Sequence, residues 1–450
     1  MRGRGVVLAV FFVSGVSALL YQVAWLKYLG FVFGNTVHAA ATLIATFLAG
    51  LGIGGYLFGK YLHRARPLIL YGVLEALIGA LGALSPNAFA LLDRAYVAAY
   101  PAVSGAPVSL ALFRILAASL FLLPPTILMG GTLPVLVRYF SGERLATGRA
   151  VSSLYAANTF GATGGVALSG FYLIPAFGLT ATVAIAVALN FALAVLAIVL
   201  AWSGREKRGA EPEPDSQLQT PDSRLTPGRR SAPVPAVVVA FLLGFGAIAN
   251  EVFWSRILVL HLGSSVYAYS LMLFCFLTGL ALGSALVYRV IDRANLHRLL
   301  GTLAIALGVA LSLQVLYFTR FADVLEGLAR AIEPEGAGGM LAVFLIATLS
   351  ALLVPTALMG ATFPVVVKIY SLAAARSESR SVGVVYLANT VGSISGSLLA
   401  GFVLIRLLGS QNGLFVMAAI AFLIGAWFLL REARRRAVAV ILLAAAVAAI

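Results

Sequence analysis

The side chains that could do chemistry are few, and two of them stand in unexpected places. Only 16 of the 450 residues are Asp or Glu. Two of these, Glu75 in LYGVLEALIGALGAL and Glu251 in GAIANEVFWSR, lie inside long apolar runs. An ionisable group in such a run is costly to hold in lipid, so it faces a protein interior or a water-filled cavity. Glu75 has three readings: a carboxylate that binds a cation or a proton, the structural partner of a basic group such as Arg114 in LALFRILAASLF, or a group solvated near the interface, about two turns into its helix. An up-down count of the runs puts Glu75 and Arg114 near opposite faces, which weighs against the pair. Arg114 can also snorkel its long stem to an interface or contact an anionic group.

The second candidate set is duplicated. YQVAWLK from Tyr21 recurs as NEVFWSR from Asn250, so that Tyr21 matches Asn250, Gln22 matches Glu251, Trp25 matches Trp254 and Lys27 matches Arg256. Gln22 and Trp25, three apart on a helix, share a face. At one level of both copies these residues could wall a central cavity, with Glu251 accepting a cation or proton and the two indoles offering cation–π contact. The alternative is an interfacial aromatic belt with Lys27 and Arg256 as anchors. Asn158 and Asn389, in YAANT and YLANT, are a further pair that could bond across helices or touch a ligand. Pro125–Thr126 and Pro355–Thr356 free backbone carbonyls at matching places, the mark of a hinge, a transport site or a packing kink. The four His have no metal-ligand spacing, and the single cysteine, Cys275, reads as a packing residue. No catalytic, metal or cofactor site is expected.

The elements that must position these groups are membrane helices. Hydrophobic residues make up 61% of the chain, charged residues 10%, and the mean hydropathy is +1.02. Soluble domains carry roughly 25% charged residues. Apolar runs of about 20 residues or more, each long enough to cross a bilayer, fall near 6–28, 36–59, 68–91, 107–137, 149–173 and 179–202, and again near 235–257, 265–290, 296–318, 340–370, 382–405 and 410–430. The fourth is overlong and carries Pro124–Pro125, so it should be strongly tilted or broken there. Gly15, Gly34, Gly50 and Gly54 fall on Gly244, Gly263, Gly279 and Gly283 at a constant shift, PPTILMGGTLPVLVRYF matches VPTALMGATFPVVVKIY, and YAANTFGATGGVALSGF matches YLANTVGSISGSLLAGF. The repeat is therefore the fold unit, and its glycines read as helix-packing surfaces.

The expected organisation is a first six-helix repeat over 1–203, a polar linker over 204–233, a second six-helix repeat over 234–430, and a basic cluster with the start of a further helix over 431–450. Of the 31 Lys and Arg, 24 fall on the side of the N-terminus and linker. By the positive-inside rule that side is cytoplasmic and the protein sits in the inner (plasma) membrane. An even number of spans per copy makes the repeats parallel. The fold class is thus an all-α polytopic membrane protein, major-facilitator-like, with two parallel six-helix repeats. The formal charge of +15 is spread over short loops, so lipid, and no nucleic acid, is the expected partner.

Four motifs, GVSALLYQVAW, AGLGIGGYLFGK, PTILMGGTLPVLVR and YAANTFGATGG, resemble the membrane part of the fused transporter-like/spermidine synthase proteins over about residues 15–430. The resemblance implies a transporter-like bundle, often joined to an aminopropyltransferase-like domain, here a soluble domain beyond residue 450. It also suggests a polyamine or other cation as a small organic solute. The chain itself has no strand followed by a glycine-rich phosphate loop, so the implied alternatives are a secondary transporter-like protein and a membrane anchor for a catalytic domain outside these residues. GYLFGKYLHRARPL resembles the loop between the second and third spans of major-facilitator proteins without its usual acid; Asp292–Arg293 supplies an acidic–basic pair in the second copy.

Overall fold

The computed structural model describes residues 2–34, 37–61, 66–140, 147–205, 234–263, 266–374 and 378–431. The expected linker (but for its first two residues) and the expected further helix lie outside the described residues. The first half comprises α1 (Arg2–Phe33), α2 (Val37–Tyr61), α3 (Pro67–Val103), α4 (Pro107–Phe140), α5 (Thr147–Leu168) and α6 (Ile174–Leu200). The second comprises α7 (Val234–Leu262), α8 (Val266–Tyr288), α9 (Leu296–Thr319), α10 (Phe321–Ile332), α11 (Gly336–Ala374), α12 (Glu378–Leu399) and α13 (Ile405–Arg431). Short π turns, Ser169–Leu173 and Ala400–Leu404, continue α5 and α12 at equivalent places.

Among the described residues, ten uninterrupted stretches are long and apolar enough to cross a membrane, including Ser153–Ser203 and Gly383–Arg431. Each of these two is broken once. Gly178 (φ 81) and Gly409 (φ 76) leave helical geometry inside α6 and α13, and only glycine enters that region without strain. The ten stretches therefore make twelve crossings, as the sequence predicts. Gly34 (φ 83) and Gly263 (φ 75) mark the matching α1–α2 and α7–α8 turns. These four lie at one end of the bundle, the glycine-turn end; the C-terminus of α6 and the N-terminus of α7 lie at the other.

The two halves pack alike. α1 lies on α5, α2 on α4 and α3 on α6, while α7 lies on α12, α8 on α11 and α9 on α13. The repeated glycines explain the closeness. A Cβ on Gly54 or Gly283 would meet the backbone carbonyl of Ile127 or Ala357 in α4 or α11, and a Cβ on Gly161 or Gly392 would meet that of Phe12 or Phe241 in α1 or α7. Between lipid-embedded helices, such backbone approach replaces the hydrophobic drive available in water.

The structure refines three expectations, and of the two readings of the fourth span it rules out the break. α4 runs unbroken through Pro124 and Pro125; Thr126 Oγ1 donates to the carbonyls of Leu122 and Leu123 (2.7 and 3.1 Å). The third span is longer than 68–91, because α3 continues to Val103. Its counterpart instead stops at Thr319 and restarts as the amphipathic α10, whose Phe321 is buried against His261 and Phe318. Finally, Asp292 of the acidic–basic pair bonds Lys368 of α11 (2.6 Å), tying the α8–α9 turn to the C-terminal part of α11.

Candidate functional site

The two halves meet along a seam. It is built mainly from α2 against α12 and from α5 with its π turn against α8. Close approach is symmetric: a Cβ on Gly170 would strike Ser270, and one on Gly401 would strike Ala41. Ser397 Oγ of α12 donates to the Ala41 carbonyl of α2 (2.9 Å). Apolar packing crosses the seam too, with Val23, Ala41, Ile44 and Val166 of the first half joining Ile248, Val252, Tyr269 and Met272 of the second.

One polar group of side chains spans this seam. Gln22 of α1 donates from Nε2 to the hydroxyl of Tyr269 in α8 (3.3 Å). Glu251 of α7 lies near this tyrosine, within the same half. Glu251 is only 3% exposed, and no hydrogen bond or ion pair to it forms among the described residues. A buried carboxyl without a partner is expensive, and its placement where two helix bundles meet makes it the strongest candidate for a ligand-facing group. Gln22 and Glu251, equivalent in the two copies, thus approach the same tyrosine from opposite halves. Tyr269 was not singled out from the sequence; alternation within a wholly apolar helix gave no signal for it.

The remaining candidates divide by location. Trp25 is fully buried in a core of the first half, and Trp254 is fully buried in the apolar cluster that also crosses the seam. Trp25 stacks on Tyr21 (ring centroids 5.1 Å), and Trp254 Nε1 donates to Gln314 Oε1 in α9 (2.8 Å). Residues three apart are displaced by about 60° around a helix, and on α1 the border between seam and half-core runs between Gln22 and Trp25. Tyr21 leans over Gly82. Asn250 Nδ2 donates to its own helix at the Gly246 carbonyl (2.8 Å). Asn158 packs against Gly15, and Asn389 against Gly244 with its Nδ2 on the Ala240 carbonyl (3.2 Å). These two asparagines join helices within a half. Lys27 is half-buried and Arg256 exposed.

Glu75 and Arg114 do not pair. Arg114 donates to the Tyr96 hydroxyl from Nε and Nη2 (3.2 and 2.7 Å) and lies 5.6 Å from the centroid of that ring. Glu75 is completely buried between α1, α3 and α6, where Ser14 and Asn190 donate to its carboxylate. That position is inside the first half, away from the seam.

The side chain of Gln314 escaped the sequence reading, although it does two jobs. Besides accepting from Trp254, its Nε2 donates to the carbonyl of Ala351 (2.9 Å). Ala351 lies four residues before Pro355, so this is the carbonyl that proline leaves without a helical donor. The freed carbonyl that marks a possible transport site is thus satisfied by a neighbouring helix.

Comparison with solved structures agrees with this architecture. A POT family transporter in complex with 5-aminolevulinic acid superposes with a TM-score of 0.58 at 13% identity, covering 95% of this chain and 96% of that one. A bacterial homologue of the iron transporter ferroportin gives 0.57 at 15% identity, with 96% and 99% covered. A D-xylose-proton symporter gives 0.53 at 16% identity, with 94% and 97% covered. The fold is major-facilitator-like. At these identities the likeness extends to the fold alone. No family model matches the chain. Polyamine aminopropyltransferases of Mycobacterium tuberculosis (strain ATCC 25618 / H37Rv) and Mycobacterium bovis (strain ATCC BAA-935 / AF2122/97) are 29% identical over 202 residues, 43% of this chain and 35% of each relative. The match thus spans about a third of the length of these curated relatives, a distant homology consistent with a transporter-like domain.

Proposed function

We propose that this chain is a secondary-transporter-like membrane protein that binds a small organic solute at the seam between its halves and moves it by rocking one half against the other. The observation that carries the reading is Glu251: a carboxyl 3% exposed, unpartnered among the described residues, beside a tyrosine held by Gln22 of the opposite half. An acid in that position suits a cationic solute, and the polyamine chemistry named for the matched relatives makes a polyamine the first to test. Gln22 and Tyr269 orient the solute, and breaking their bond accompanies separation of the halves. The N-terminus and the linker are placed on the cytoplasmic side, following the Lys and Arg bias.

Uptake of labelled putrescine and spermidine into proteoliposomes, with and without a pH gradient, tests the assignment. Uptake that falls tenfold or more in Glu251→Gln is expected. Absence of uptake under both conditions, or uptake that Glu251→Gln leaves intact, refutes it. The same match supports a second reading, in which the bundle anchors an aminopropyltransferase-like domain outside these 450 residues. A glycine-rich βαβ region following residue 450 in the gene, with aminopropyltransferase activity in the full product, would favour that reading.

A further inference from the structure

The buried group around Glu75 is separate from the seam, and the second copy of the repeat lacks it. Ser14 Oγ donates to Glu75 Oε1 (2.7 Å), Asn190 Nδ2 donates to Oε2 (2.5 Å), and Ser17 Oγ donates to Asn190 Oδ1 (2.5 Å). The Tyr71 hydroxyl, on a residue 0% exposed, lies beside the carboxyl and makes no hydrogen bond of normal geometry among the described residues. The groups that face Glu75 are Ser14 and Tyr21 from α1, Tyr71 from α3 and Asn190 from α6, with Ser17 of α1 behind Asn190 and also within reach of the Ala186 carbonyl (3.4 Å). All are neutral hydroxyls or an amide. No described Lys, Arg or His pairs with it, and Arg114 is engaged with Tyr96.

The repeat provides an internal control. Gly72 and Gly79 meet Ile198 and Phe191 in the first half, as Gly301 and Gly308 meet Leu429 and Phe422 in the second. This register puts Leu243, Gly246, Leu300, Ala304 and Ala421 where the first half has Ser14, Ser17, Tyr71, Glu75 and Asn190. Leu300, Ala304 and Ala421 are buried there in apolar packing. The frame therefore closes without the polar set, and replacing a buried polar set by apolar packing is commonly neutral or stabilising. Folding alone gives no reason for its presence.

We propose that Ser14, Ser17, Tyr71, Glu75 and Asn190 form a binding site for one alkali-metal cation of sodium size inside the first half. Three helices bring together two carboxylate oxygens, one amide and three hydroxyls; the Asn190 amide, which presents Nδ2 to Glu75 here, would turn its Oδ1 to an ion, as the hydroxyls would turn their lone pairs by rotation of their hydrogens. Hard cations take such all-oxygen sets. The carboxylate supplies the single negative charge that a monovalent ion balances. A proton would need only the carboxyl and one acceptor, leaving the other oxygens unexplained. A bound ion would tie α1, α3 and α6 together and so couple ion occupancy to the packing of α1, the helix that carries Gln22 to the seam.

The test is thermal unfolding of the purified full chain in detergent, titrated with NaCl against choline chloride at constant ionic strength and at several pH values. Saturating sodium is expected to raise Tm by about 2–4 °C. The increase should vanish in Glu75→Gln and in the double variant Glu75→Ala/Asn190→Ala, which carries the second copy's residues at these two of the five positions. Isothermal titration with NaCl should show one site in the wild type and none in either variant. A wild-type Tm indifferent to sodium, or one that follows pH alone, overturns the proposal and leaves a protonated carboxyl in its place. A sodium response that persists in the double variant also overturns it. The Glu251 reading is unaffected by any of these results, because uptake into proteoliposomes reports on the seam.

Discussion

Removing the Gln314 amide should destabilise the second half more than its single side chain suggests. Two buried hydrogen bonds disappear together: Trp254 Nε1 loses its acceptor at 2.8 Å, and the Ala351 carbonyl loses its donor at 2.9 Å. Interhelical hydrogen bonds in membrane proteins average about 0.6 kcal/mol, so loss of two sets a floor of about 1 kcal/mol. An orphaned buried donor or acceptor costs about 1–3 kcal/mol, and here there is one of each. The ceiling of about 6 kcal/mol applies if neither finds a new partner. Gln314→Met keeps the length and apolar contacts of the side chain, so nearly all of its effect comes from the bonds. Unfolding in mixed micelles with rising SDS fraction, followed by tryptophan fluorescence, would measure the loss. A stability for Gln314→Met within about 0.3 kcal/mol of wild type would refute the claim that Gln314 satisfies the carbonyl freed by Pro355. The first half offers the reciprocal experiment. Ser85 stands where Gln314 does in the second copy and donates to the Gly82 carbonyl (2.7 Å), while Trp25 Nε1 is left unpartnered among the described residues. Ser85→Gln should stabilise if its amide reaches that indole.

Gly54→Val and Gly283→Val should each cost about 1–3 kcal/mol by the same measurement, since a side chain there overpacks against the backbone of α4 or α11; equal costs in the two copies are expected. Gly178→Val and Gly409→Val should also destabilise by about 1–3 kcal/mol, for backbone strain at positive φ rather than for space, because no atom approaches within 4 Å. Gly52→Cys with Thr390→Cys should form a disulfide on mild oxidation, seen as a gel-mobility shift after cleavage in the linker, because a Cβ at 52 comes within 3.1 Å of the Thr390 methyl. Native Cys275 is buried and should not compete. Tyr96→Phe should change stability by less than about 1 kcal/mol, since half-buried Arg114 can turn its head group toward water at the bundle end.

The frame was legible because its cause repeats. Gly50, Gly54, Gly279 and Gly283 recur at a fixed shift, and in the structure each meets the helix that its partner's position predicts. Twelve crossings followed from run length, and the structure supplies the two glycine breaks that separate the fifth from the sixth and the eleventh from the twelfth. The site was legible only in part. Gln22 and Glu251 could be picked out because a polar residue in an apolar run is conspicuous, whereas the partition of Gln22 from Trp25 depends on which neighbour each side of α1 faces. Periodicity carries no such signal where every face is apolar. Tyr269, Asn190 and Gln314 were invisible for the related reason that their meaning lies in partners 60 to 247 residues away. α10 escaped because twelve residues with Asp323, Glu326 and Arg330 read as a loop; Phe321, buried at its start, is what anchors it as a helix.

The uneven treatment of the third span in the two copies has a practical corollary. At about 1.5 Å per residue, the 37 residues of α3 extend about 55 Å, well past a hydrocarbon layer about 30 Å thick. α4 begins only four residues later, so a stiff two-helix prong capped by Ser104 and Gly105 projects from one corner, while the opposite corner is folded flat by the break at Arg320. A protein whose two lobes are otherwise near mirror twins in projection acquires an unambiguous landmark, and a rigid antibody fragment raised against that tip would serve as a fiducial for imaging without touching the crossing helices.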